Sequence, residues 1–506
     1  MSRSWEELNQ KTIDLMSEGK YDEAEKSARE ALEAARLEKD DKTILLALSN
    51  LSSLEQSTGD FESAEKDLAE AIELSRRLTQ DKGETADLIG SLGVMYSYAG
   101  RTALAKETFE EELSIRQKNG DTFDKIVQVL QGLAECAMKM KNSSAAVEYL
   151  DEAIALTEKN EGTESTSMAP ILVNKAVVFS NEGDLEGAGK CLREALRIYE
   201  KDPGPGHPVF ADTLSRLAQI YEQRGVFDAA ETIYAQALDI LKNILEENDP
   251  EIGRKSEDLA GLYVKIGKFD DAQKQFKYTL DIYKKAFGDN NGDVARIEND
   301  LGEVYLACEK FGDAKPYFEH SLEVREQLFG KSHPAVAQTL NNMAVMLENS
   351  GEFQKAVPLH ERALQIRRDC FGQRHPAVTQ SLENLAAVYN GTGRYQEAED
   401  LLRESVSIWK EFAGEGNPAT AQAEVNLATV LFQRAKYREA QKVLEGAKDA
   451  LEKAYGQEHP CMALPYKALA AIAKKLSNKS DEEKYAALFN SINKKMQAAN
   501  ENDNNR

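Results

Sequence analysis

In residues 333–372 the apolar positions Leu340, Met343, Ala344 and Leu347 recur at the spacing of one helix face. His333-Pro334 precedes them, and Pro suits a first helical position because the amide hydrogen it lacks would have no partner there. Gly351 breaks the stripe, as a glycine does where a helix end needs positive φ. A second stripe follows, made of Phe353, Ala356, Leu359, Ala363, Leu364 and Ile366, and Phe371-Gly372 closes it. Small Ala356 and Ala363 let two helices approach closely. The pattern predicts a helix, a tight turn, a longer helix and a short capped loop, with no strand signal.

The unit repeats. Gly183, Gly225, Gly267, Gly351 and Gly393 lie at multiples of 42 residues, each followed by Leu185, Phe227, Phe269, Phe353 or Tyr395 and then by Ala188, Ala230, Ala272, Ala356 or Ala398. Glu309 and Ala435 hold the turn place in two units that keep Phe311 with Ala314 and Tyr437 with Ala440. Earlier copies fall at Gly19, Gly59, Gly100 and Lys141, and a decayed one at Ser477. His207, Asp249, His333, His375, Asn417 and His459 each precede a Pro in the same register, with Asn291-Gly292 in the remaining place. About twelve units with a fixed period mean a solenoid, whose units pack on their neighbours and whose function lies in its surfaces.

The units divide into acidic N-terminal ones (1–120), an irregular one (121–168), a regular array (169–476) and an end segment (477–506) expected to form a capping helix and a disordered tail. In the irregular unit Lys141 replaces the turn glycine, Gly132 is expected to interrupt the first helix, and Asn160 to Ser167 reads as a polar loop, so a bend is expected there. Ser4 and Glu7 have the spacing of a capping box before the first helix.

Net charge is −24, which argues against nucleic acid or an anionic membrane as partner. Residues 1–120 hold 26 acids and 16 bases, whereas 331–440 hold 13 and 12. No apolar run approaches the ~20 residues that span a bilayer, so membrane insertion is not expected. Met1 to Glu7 lacks a basic-then-apolar leader pattern. Cys136, Cys191, Cys308, Cys370 and Cys461 are an odd number in different units, which fits buried thiols in a reducing, cytoplasmic setting.

The turn signature, the small residue seven later and the paired helices resemble the tetratricopeptide repeat. The 42-residue form with Phe-Gly-x-x-His-Pro between units is similar to the repeats of kinesin light chains, above all in FGKSHPAVAQTLNNMAVMLENSGEFQK (329–355) and FGQRHPAVTQSLENLAAVYNGTGRYQE (371–397). The resemblance covers roughly residues 5–490 and implies an all-α, right-handed superhelix of helix-turn-helix units. Kinesin light chains also carry a heptad coiled coil before their repeats. This sequence opens on a repeat instead, so a motor-subunit role is not carried over.

Candidate chemistry is sparse. Four of the six histidines sit in the His-Pro column, one unit apart, where they serve helix starts rather than converge on a metal; His320 and His360 read as packing or surface residues. No Gly-rich phosphate loop, HExxH or GxSxG motif occurs, and an enzyme, a cofactor or a metal is not expected. Two other columns carry more. Nine residues before the turn position stand Asn50, Asn174, Asn342, Asn384 and Asn426, with Asp258 and Asp300 between; thirteen before stand Gln338, Gln380 and Gln422. The resemblance places both columns on the concave, first-helix surface and implies that Asn342, Asn384 and Asn426 clamp the main chain of an extended peptide. Amides suit that task because each offers a donor and an acceptor. Alternatively, they bond neighbouring helices or water.

Asn341, Glu348, Asn349, Glu383, Asn390 and Phe432 would line the same surface. Arg254 and Arg296 replace the Gln column in two units. They would anchor an acidic ligand residue or, the preferred reading, pair with Asp258 and Asp300 on their own helices. The expected function is a non-enzymatic scaffold or adaptor that binds a partner's extended segment in the groove of residues 333–435. The alternatives are a structural subunit packed along its length in a cytoskeletal, ciliary or other assembly, and a peptide-sensing regulator.

Overall fold

The computed structural model describes residues 4–78 and 82–504. Among them the regular elements are α-helices and one short 3-10 helix at Pro460–Met462, with no strand. They fall into two units, Met1–Glu246 and Glu247–Arg506. The first holds α1 (Trp5–Ser17), α2 (Tyr21–Glu38), α3 (Asp41–Thr58), α4 (Phe61–Leu78), α5 (Lys82–Tyr98), α6 (Thr102–Asn119), α7 (Phe123–Lys139), α8 (Ser143–Glu161), α9 (Met168–Asn181), α10 (Leu185–Lys201), α11 (Pro208–Gln223) and α12 (Phe227–Ile244). The second holds α13 (Pro250–Lys265), α14 (Phe269–Phe287), α15 (Gly292–Ala307), α16 (Phe311–Phe329), α17 (Pro334–Asn349), α18 (Phe353–Phe371), α19 (Pro376–Gly391), α20 (Tyr395–Ala413), α21 (Pro418–Gln433), α22 (Tyr437–Tyr455), α23 (Ala463–Lys475) and α24 (Lys479–Asn504). Within each unit, odd-numbered first helices pair with the following even-numbered helix, and each pair packs on the next.

The alanine column is the hinge of this packing. In the first unit Ala24, Ala64, Ala105, Ala146, Ala188 and Ala230 are fully buried; in the second, so are Ala272, Ala314, Ala356, Ala398 and Ala440. A larger side chain at any of them would force the paired helices apart, at roughly 1–3 kcal/mol. Leucine, isoleucine and valine from both helices of each pair close the remaining core, for example Leu130, Leu150 and Ile171 in the first unit and Leu382, Leu402 and Leu444 in the second.

Turn positions keep their geometry where the glycine is lost. Lys141, Glu309, Ala435 and Ser477 sit at φ 58, 56, 59 and 60. This left-handed conformation costs a non-glycine residue roughly 1–2 kcal/mol, which packing on both sides must offset. Helix starts also match the sequence. Ser4 Oγ accepts from the Glu7 amide at 3.3 Å. His207, His333, His375 and His459 each accept through Nδ1 from the amide two residues on, at 3.1–3.3 Å, and Asn417 does the same through Oδ1 at 2.9 Å.

Two details differ from expectation. Gly132 does not interrupt α7, which runs unbroken from Phe123 to Lys139; it instead leaves room for the Phe109 ring, 3.2 Å from where its Cβ would stand. The segment expected to be a disordered tail continues α24 in its backbone as far as Asn504, and residues 505–506 lie outside the described residues.

Candidate functional site

The three asparagines of the second unit sit on consecutive first helices, half-buried, and each donates backward to the first helix before it. Asn342 Nδ2 donates to Asn299 Oδ1 at 3.1 Å and to the Glu303 carboxylate. Asn384 Nδ2 donates to Asn341 Oδ1 at 2.8 Å, and Asn426 Nδ2 to Glu383 Oε2 at 3.2 Å. The first unit repeats the device, with Asn174 Nδ2 to Gln131 Oε1 at 3.0 Å and Asn50 Nδ2 to Asn9 Oδ1 at 2.9 Å. The column is therefore an amide ladder between repeat units. Asn341, expected to line the surface, is buried at 4% exposure and is a rung of this ladder. Its Oδ1 also lies 3.0 Å from Nδ1 of the fully buried His360, whose Nε2 meets the Glu348 carboxylate.

The ladder uses only nitrogen on the donor side. Among the described residues nothing donates to Oδ1 of Asn342, Asn384 or Asn426, so each amide keeps an acceptor beyond its rung, and Asn384 and Asn426 keep one N–H as well. Gln338, Gln380 and Gln422 are all exposed. On the same stretch Glu348, Glu383, Asn390 and Phe432 are half-buried and Asn349 is exposed, while Asn390 Oδ1 is buried without a donor.

The arginines of the Gln column are both engaged. Arg254 bonds Glu251 on its own first turn. Arg296 reaches to the preceding first helix, where its Nη2 donates to Glu257 Oε2 at 3.1 Å, and it also meets Asp293 at 3.2 Å. The preferred pairing of Arg296 with Asp300 gives way because the Glu257 carboxylate lies directly across the inter-unit gap. Burial, reinforced by nearby Glu303, pushes the Asp300 carboxyl up to about 6.

Sequence reasoning missed two further cations. Arg325, on α16, is 4% exposed and gives one nitrogen to three neutral acceptors: Ala335 O at 2.8 Å, Thr339 Oγ1 at 2.9 Å and Gln338 Oε1 at 3.2 Å. Arg367, at the same place on α18, donates to Ser381 Oγ at 3.0 Å. Burial pulls the pKa of both down. Their spacing of one repeat was the available signal. No group of His, Cys, Asp or Glu that could hold a metal occurs among the described residues. No helix there is long and apolar enough to cross a membrane.

A family model of the tetratricopeptide repeat matches the chain at residues 13–77, 43–118, 167–243, 209–285, 251–327, 293–369, 336–411 and 377–453, and a second matches 127–160. No curated protein matches the chain. Among solved structures it is similar to BtubC (BKLC) from P. vanneervenii, at 30% identity over 46% of this chain and 92% of that one, TM-score 0.41. It is similar to nearly identical TPR-like repeats assigned to a Podosopora anserina kinesin light chain, at 23% identity over 41% and 98%, TM-score 0.37. The apo form of RapI shares the fold at 14% identity over 74% of this chain and 99% of that one, TM-score 0.52.

Proposed function

This chain belongs to the tetratricopeptide repeat family, and from that premise we propose that it is a non-enzymatic adaptor holding an extended segment of a partner protein against the first-helix face of residues 333–435. One observation carries this reading. The ladder ties down each asparagine by its nitrogen and leaves the amide oxygen unbonded, so Asn342, Asn384 and Asn426 form a spaced row of oriented acceptors for peptide N–H groups. Orienting an amide before binding lowers the entropy a ligand must overcome. The exposed glutamines beside them offer adaptable donors and acceptors for the same backbone, and Arg325 steadies the first of these. We place this activity in the cytoplasm, including its cytoskeletal or ciliary structures, on the strength of five unpaired cysteines.

The test uses peptides selected by display on the full chain. Their affinity is compared between the native chain and the Gln338→Ala/Gln380→Ala/Gln422→Ala variant. Each lost bond nets about 0.5–1.5 kcal/mol, so affinity should fall by one to three decades, roughly, while thermal melting drops only by the loss of the Arg325–Gln338 bond. Unchanged binding in the folded variant would sink the groove reading.

A second reading draws on the ends of the second helices. Phe329, Phe371 and Tyr455 are about half exposed and lie against His333, His375 and His459 with ring centroids 4.8, 5.3 and 5.0 Å apart, the first pair tilted and the other two stacked. Such an aromatic edge, repeated with the unit, favours a subunit packed along its length. Substituting the three aromatics by Ser would then abolish assembly and leave peptide affinity intact.

A further inference from the structure

Between α5 and α7 the ladder lacks both its donor and its acceptor side chain. Where Asn174, Asn342, Asn384 and Asn426 stand in other units, α7 carries Gly132, and α5 carries Gly90 at the position of the acceptors. No amide bridge fills the gap, and a cleft of about 470 Å³ opens between α5 and α7 over α6. Its floor is the Phe109 ring. The ring seats between two glycines: a Cβ at Gly93 would lie 2.7 Å from it and one at Gly132 3.2 Å.

One wall of the cleft is a carboxylate with spare capacity. Glu112 is 4% exposed. Its Oε1 accepts twice from Arg116, at 2.8 Å from Nε and 2.6 Å from Nη2, while Oε2 receives no hydrogen bond among the described residues. The carboxylate lies where a side chain at position 90 would go, with Oε2 2.8 Å from an ideal Cβ of Gly90. Arg116 cannot neutralise Glu112 alone, because it also donates to Asp87 at 2.8 Å and Asp121 at 3.1 Å. Lys125 is committed to Asp87 as well, at 3.0 Å. Three carboxylates therefore share two cations, and burial pushes the Glu112 carboxyl up.

The geometry points to a second binding site, independent of the groove: the cleft takes the Lys or Arg side chain of a partner peptide. The cationic head would donate to Glu112 Oε2, supplying the missing partner, and the methylene stem would lie on Phe109. Val94 and Tyr98 stand at the rim, 43% and 79% exposed, and Tyr98 offers a ring face to a cation. Both rim residues also border a shallower hollow lined by Ser53, Ser57, Phe61 and Ser91, which gives the flanking peptide backbone a path. The excess of 26 acids over 16 bases in residues 1–120 would attract such a segment from a distance.

The test measures fluorescence polarisation of short labelled peptides on the full chain. The flanks are randomised, and the central residue is Arg, Lys, citrulline or norleucine. Arg- and Lys-centred pools should bind, and citrulline and norleucine pools should bind at least about tenfold more weakly, the loss of one charge-assisted bond. Glu112→Gln should bring cationic binding down by a similar factor. Because Glu112 also holds Arg116, the exposed Val94→Lys is the second variant. It should repel the cationic pools with melting unchanged, and the Gln338→Ala/Gln380→Ala/Gln422→Ala variant should bind them normally. The proposal is overturned if no cationic pool binds, if norleucine pools bind equally, or if Glu112→Gln and Val94→Lys leave binding unaltered.

Discussion

Residues 333–435 and residues 87–139 are built on the same helix pair and the same register, yet their first-helix faces are opposites. In the former, an asparagine in each unit bonds an acceptor in the unit before, and the face is filled by fixed amides. In the latter, Ser91 and Gly132 occupy that column, Gly90 removes the acceptor, and the face is open down to Phe109. One column thus decides between a polar rail and a pocket, while the alanine column that sets helix approach is the same in both. Repeat architecture and surface chemistry are separable in this chain, as expected when each unit packs only on its neighbours.

The contrast extends to buried carboxylates, and pH is the strongest way to probe it. In the first unit Glu55 is fully buried, and burial, with Asp67 adding repulsion, pushes its carboxyl up to about 7 despite Arg29 at 2.7 Å. Glu55 Oε2 and Asp67 Oδ2 are both buried without donors. In the second unit burial also opposes ionisation of Glu399, but bonds from Lys436, Arg403 and Arg434 outweigh it and hold the carboxyl down at about 2.

The signs follow from linkage. A raised carboxyl stabilises the fold below its unfolded pKa, and this is lost as pH rises through the folded value; a depressed one does so above its unfolded pKa, and this is lost as pH falls. Amides of α3 and α4 should lose protection between about pH 4.5 and 7, and those of α20 to α22 between about pH 4.5 and 2, each by on the order of 3 kcal/mol. Hydrogen exchange corrected for intrinsic rates reads both, and Glu55→Gln and Glu399→Gln should each flatten one profile. If both regions lose protection in the same direction, the opposition does not exist.

A smaller effect tests the ladder and the cleft together. Asn384→Ala deprives Asn341 of its donor and should cost about 1–2 kcal/mol. Gly132→Asn restores the ladder residue to the cleft but finds Gly90 where an acceptor should be, and its Cβ crowds Phe109. It should cost about 1–3 kcal/mol, with no bond gained. Denaturant melts of the two variants check this. A stabilising Gly132→Asn would mean that the cleft is only a missing rung.

The sequence made the frame legible because its devices are local and recur. The turn column, the alanine column and the helix caps each repeat within a few residues of one another, and they survive even where Lys141 or Ser477 replaces glycine. The ladder was half legible. Its donors are uniform, but its acceptors are Gln131, Asn299, Asn341 and Glu383, a mixed set 43 residues away that no single-residue pattern announces. Buried Arg325 and half-buried Arg367 escaped notice because a helical arginine usually reads as a solvated one. The cleft escaped because it needs Gly90, Gly93 and Gly132 to meet Phe109, and each looks incidental alone.

The smallest expected effect concerns the histidine column, whose role is the same in both units. His207 in the first, and His333, His375 and His459 in the second, each give Nδ1 to an amide at a helix start. Asn417 makes that bond in the next unit with a side-chain oxygen, so the requirement is an acceptor and not an imidazole. His375→Asn should therefore leave stability within about 0.5 kcal/mol. His375→Ala removes the acceptor and the stacking on Phe371, and should cost about 1 kcal/mol. Thermal melts of the two variants separate the cases. Equal losses would mean that the ring, through its contact with Phe371, matters more than the cap, and would turn attention to the aromatic edge as the surface these residues maintain.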